Sequence, residues 1–62
     1  MRIDYKVNEK YDGKKVYHVL QGQMKLSSRL IKNLKKHDGI LLNGVSARTI
    51  DPVHSGDIVS AV

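Results

Sequence analysis

Cysteine is absent from this 62-residue chain, and so are tryptophan and phenylalanine. Without cysteine there is no disulfide staple and no thiolate-bound zinc. The three histidines, His18, His37 and His54, are too scattered to read as a metal-ligand motif, so no cofactor is expected. The only aromatic residues are Tyr5, Tyr11 and Tyr17, too few for the stacking platforms of a single-strand binder. Long apolar runs are missing as well. Nothing approaches a membrane span or a signal-peptide core, which leads us to expect a cytoplasmic protein with no membrane partner. The length leaves room for one small domain, 1–62, with a stability of only a few kcal/mol. Such a chain is too small to enclose both a core and an ordinary enzyme pocket.

Positive charge is what the chain has in excess. Eleven Lys and Arg against six Asp and Glu give a net charge of +5. Asp4, Glu9 and Asp12 lie early, and Asp38, Asp51 and Asp57 lie late. The stretch 23–37 between them holds Lys25, Arg29, Lys32, Lys35 and Lys36 with no acid at all. A charge run of this kind serves equally as a solvated helix face or as a surface for a polyanion. Its arrangement favours the polyanion. Ser27 and Ser28 are both candidate N-caps, and Leu30, Ile31 and Leu34 then share one arc of a helical wheel. Arg29, Lys32 and Lys36 form a stripe on the other side, with Lys35 at its edge. Like charges at that spacing repel by a few tenths of a kcal/mol per pair, a cost that an anion would relieve.

The rest of the chain reads as strand, helix, helix, hairpin, strand. Residues 2–8 alternate, with Ile3, Tyr5 and Val7 on one side. A first helix is expected near 14–21, capped by Asp12 or Gly13 and stopped by Gly22. Val16, Val19 and Leu20 form its apolar stripe, Tyr17 lies at the margin, and His18 points outward. The second helix is expected over Ser28–Lys36. It ends at His37, whose side chain is placed near the last carbonyls, and Gly39 supplies the tight turn. Strands follow at 40–42 and 45–48, joined by Asn43-Gly44, a strong type I′ hairpin signal. A last strand covers 58–61 after the 55–57 turn, which Asp57 caps. Leu20, Leu30, Leu34, Leu41 and Ile58 are the expected core, with Tyr5 and Tyr17 also turned inward. The fold class is α+β, two helices packed against a small, mostly antiparallel sheet. A chain whose last strand coincides with its end reads as a domain excised from something longer.

Three segments taken together, 26–31 (Leu-Ser-Ser-Arg-Leu-Ile), 39–44 (Gly-Ile-Leu-Leu-Asn-Gly) and 56–59 (Gly-Asp-Ile-Val), carry a family resemblance. The chain resembles the ribosomal-protein-S-four-type RNA-binding domain, the alpha-L motif, from about Gly13 to Val62. Within that family it is most similar to the N-terminal domain of bacterial large ribosomal RNA pseudouridine synthases of the multi-site class. The resemblance implies an alpha-L fold and binding of structured, ribosomal RNA by the second helix and the adjoining hairpin turn. Ser28 and Arg29 match the family's helix-starting pair, and Lys32, Lys35 and Lys36 match its basic face. Lys25 stands just ahead of the helix, and Asn43 and Gly44 match the hairpin turn near the same surface. The sequence departs from the family at the first helix, where Lys14-Lys15-Val16 stands in place of Arg-Leu-Asp. A second departure is Asp38, an acid beside the basic helix.

The resembled enzymes keep their catalytic aspartate in a separate domain, so this monomeric chain is expected to bind RNA and not to catalyse. No residue here suggests otherwise: no His–Asp pair has the spacing to activate Ser27 or Ser28. Two alternatives stay open. One is a stand-alone S-four-type RNA-binding protein, heat-shock-like or ribosome-associated. The other is a beta-grasp sulfur carrier, although this chain ends Ser60-Ala61-Val62 where such carriers end in Gly-Gly.

Overall fold

The alternating N-terminal stretch forms strand β1, Ile3–Lys6, and Asn8 caps a 3-10 turn at Glu9–Tyr11 by accepting the Lys10 N–H at 3.0 Å. Helix α1 spans 16–23, one α-helical turn at Val16–His18 widening into a π-helical Val19–Gln23. Helix α2 is Ser28–Lys36, followed by β2, Ile40–Leu42, β3, Val45–Ser46, and β4, Ile58–Ala61. This computed structural model describes residues 2–62. The sheet order is β1-β4-β2-β3, and all three pairings are antiparallel. The chain is thus an α+β domain of two helices and a four-stranded antiparallel sheet. Among the described residues no helix is long and apolar enough to cross a membrane.

Helix α1 begins two residues later than its apolar spacing suggests. Lys14 and Lys15 are occupied with the 51–53 segment: the Val53 N–H donates to the Lys14 carbonyl at 2.8 Å, and Lys15 bridges to Pro52. Neither Asp12 nor Gly13 is therefore the cap. Lys15 takes that place, and its N–H donates to Nδ1 of His18 at 3.3 Å. Gly22 does not stop the helix either. It lies within the π-helical turn with the Tyr11 side chain laid against it, so that any Cβ there would strike the tyrosine hydroxyl. The stop is Lys25, in the left-handed region at φ 55°, with the Leu26 N–H closing on the Leu20 carbonyl at 2.9 Å.

Helix α2 has the expected bounds, and Ser27 is its cap: Oγ accepts the Leu30 N–H at 3.2 Å. The helix ends in a Schellman arrangement. Asp38 is the left-handed residue at φ 55°, and the Gly39 N–H donates to the Leu34 carbonyl at 2.8 Å. Gly39 itself does not supply the positive φ. It is needed for close approach, because a Cβ there would lie 2.8 Å from the Val62 carbonyl oxygen. Asn43 and Gly44, at φ 54° and 81°, form the expected tight hairpin turn.

The core joins Val16, Val19 and Leu20 of α1 and Ile31 and Leu34 of α2 to Ile40, Val59 and Ala61 of the sheet. Leu20 and Leu34 are buried as expected, whereas Leu30 and Leu41 are only half-buried. Ile58 is 37% exposed and belongs to the other face. The register explains the reversal: β4 alternates, Val59 and Ala61 pair with Leu42 and Ile40, and Ile58 falls opposite Lys6. Tyr5 and Tyr17 are not core residues either; both stand well exposed at its margin, and Tyr11 is the tyrosine that packs inward.

Two carboxylates fasten the sheet. The His54 N–H and then the Asn43 amide hold the Asp57 carboxyl below the usual aspartate range. The Ser60 hydroxyl, and then Arg2, do the same for Asp4. A carboxyl whose pKa is lowered on folding stabilises the fold above its unfolded value. That contribution disappears as the pH falls through the folded value. Melting temperature is therefore expected to hold from about pH 7 to about pH 5 and to fall below about pH 4. In Asp57→Asn the neutral-pH melt is expected to drop and the acid limb to become shallower. An acid limb unchanged in that variant would contradict the assignment.

Candidate nucleic-acid interface

Burial of Ile31 and Leu34 fixes the rotation of α2, and that rotation decides where its cations go. Ser28, Lys32 and Lys35 face a groove they share with Tyr17, Ile31 and Thr49. Past Lys35 the groove continues between α2 and the 47–50 segment, where Arg48 and Asp38 also line it. Arg29 and Lys36 lie further round the helix and line neither part. Lys35 thus lines both parts of the groove, and of the stripe expected from the wheel, Arg29, Lys32 and Lys36, only Lys32 borders it.

Arg48 arrives here because β3 is shorter than expected. The strand ends at Ser46, and a turn follows in which Asp51 accepts the Arg48 N–H at 2.9 Å. Thr49, almost fully buried, accepts the Tyr17 N–H at 2.9 Å through its carbonyl and so ties this segment to α1. Sequence reasoning missed all three of Tyr17, Arg48 and Thr49 as site residues. The one available signal was the Asp51-Pro52 turn, close enough to 45–48 to cut the strand short.

The cations have no partners of their own. Among the described residues the only ion pairs are Arg2 with Asp4 and His54 with Asp57. Lys25, Arg29, Lys32, Lys35 and Lys36 are all exposed and unpaired. Lys35 and Lys36 have a local reason to be there, since they oppose the negative end of the helix dipole. Arg29 has none: it sits in the first turn, against the positive end and with no acid nearby. Asp38 is the single acid lining the groove, and its carboxylate accepts the Ser46 hydroxyl.

The remaining candidates are placed as follows. Ser28 is the first residue of α2, and its Oγ accepts the Gln21 amide at 3.4 Å, joining the two helices. Lys25 stands in the link between them. Asn43 and Gly44 are not brought to this surface. Helix α2 feeds through Gly39 into the Ile40 end of β2, and the hairpin turn follows Leu42 at the opposite end. The Asn43 side chain is also engaged there, accepting the Ile58 N–H at 2.9 Å and donating to Asp57. His37 is the exposed C-cap of α2, and His18 is exposed on α1.

Chemically, this arrangement suits electrostatic capture of an extended anion. Ammonium and guanidinium groups flank a shallow groove with an apolar floor. Among the described residues no cluster of His, Asp or Glu is placed to hold a metal ion. No protein-family model matches the chain, and a search of curated proteins finds no match to it.

Proposed function

We propose that this chain is an RNA-binding module of the S-four, alpha-L type, which docks structured, ribosomal RNA. The observation that carries the proposal is the unpaired, acid-free cationic flank of α2 beside a groove. Two adjacent helices leading into an antiparallel hairpin and a last strand agree with the alpha-L order of elements. In this reading the parent protein is a pseudouridine synthase that performs its isomerisation in a further domain, and the present chain recruits substrate. The stand-alone RNA-binding protein uses the same surface and differs only in what surrounds it. The beta-grasp reading is disfavoured, because that arrangement sets the first and last strands parallel whereas β1 and β4 are antiparallel.

A-form RNA closes its major groove to side chains, so a small basic domain reads backbone shape and unpaired positions. With about three side chains each neutralising a phosphate, log affinity falls against log salt with a slope of roughly −2 to −3. Titration of a ribosomal RNA hairpin at three salt concentrations tests the proposal. A slope in that range supports it. No binding at about 50 mM salt would reduce the face to ordinary solvated surface.

A further inference from the structure

Tyr17 is an aromatic residue without a structural need to be one. It is 38% exposed and contributes no buried anchor to the core. Its backbone is nevertheless anchored, and its ring has one aromatic neighbour. The backbone N–H is held by the Thr49 carbonyl, and the His18 ring meets the tyrosine ring edge-on, with centroids 5.8 Å apart and planes at 76°. The groove it lines has an apolar floor in Ile31 and unpaired ammonium groups in Lys32 and Lys35. A π-face beside cations is the combination that base stacking with backbone neutralisation requires. The part of the groove lined by Tyr17, Ile31 and Lys32 has a volume of about 420 Å³, at the small-ligand end of concave sites, room for one nucleotide and not for a duplex.

From these features we infer that the groove takes a single unpaired nucleotide extruded from structured RNA. Its base stacks on Tyr17, and its flanking phosphates lie against Lys32 and Lys35. A perfect duplex offers Tyr17 no base face, whereas a bulge or loop does. The inference rests on the RNA-binding reading and adds to it the structural feature in the RNA that is recognised.

Two RNA hairpins of one sequence, with and without a single-adenosine bulge, are titrated at one salt concentration with the parent chain, Tyr17→Leu, Tyr17→Phe and the control Tyr5→Leu. The parent is expected to prefer the bulged hairpin by about fivefold or more, the lower end of what one base–aromatic stack contributes. Tyr17→Phe and Tyr5→Leu are expected to keep that preference, and Tyr17→Leu to bring it to about one. Thermal melts compare folding across the set, in which both tyrosines are exposed. A parent that binds the two hairpins equally, or a Tyr17→Leu chain that keeps the preference, overturns the inference and leaves RNA binding by α2 standing. A parent that binds neither hairpin overturns both.

Discussion

A Lys32→Ala/Lys35→Ala double variant is expected to bind a ribosomal RNA hairpin between about 10- and 100-fold more weakly than the parent at about 50 mM salt. The two side chains flank the same groove, and neither has an acidic partner within the chain. Each ammonium that neutralises a phosphate releases condensed counterions, and that release accounts for most of its contribution. Removing both should flatten the salt slope by roughly 1.4 to 1.8, so the two affinities converge as salt rises. The fold should survive, because both residues are exposed. Lys35 has a competing role against the helix dipole, worth a few tenths of a kcal/mol. If that were its only role, the variant would melt slightly earlier and bind RNA as the parent does.

Leu20→Ala is expected to unfold most of the population at room temperature. Leu20 is fully buried between the helices and the sheet, and truncating such a leucine costs about 2–5 kcal/mol. A domain of this size has only a few kcal/mol to lose. The variant should show lost or strongly lowered cooperative melting by circular dichroism. Ile58→Ala provides the contrast: its side chain is on the open face of the sheet and substantially exposed, so a cost well under that of Leu20→Ala is expected. Equal losses at the two positions would mean that the sheet face has been assigned the wrong way round.

Local signals of the sequence were reliable where one residue type satisfies one local need. Ser27 caps α2, Asn43-Gly44 makes a turn that needs two positive φ values, and the bounds of α2 follow from its stripe. Elements that depend on distant partners were not legible. Helix α1 gives up its first two expected residues to the 51–53 segment and has Tyr11 laid against Gly22. Ile58 looked like core because alternation gives two faces without saying which one the helices cover.

The candidate site divides in the same way. The cations of α2 could be read directly, since charge without nearby acids is a property of the sequence. Lys35 as the cation lining both parts of the groove could not, because the groove exists only where α2 meets Tyr17 and the 47–50 segment. The hairpin turn was expected near that surface by resemblance, whereas the strand order carries it to the far end of β2.

Backbone amide chemical shifts, followed while a ribosomal RNA hairpin is added to the labelled chain, test the account most directly. The account predicts that the largest shifts fall on Tyr17, on Ser28 to Lys36 and on the 47–50 segment. Leu41 and Ile58 on the open sheet face, and Asn43 and Gly44 at its far end, should move little. Shifts concentrated on those four residues, with α2 unmoved, would contradict the claim that the basic flank of α2 is where this chain meets RNA.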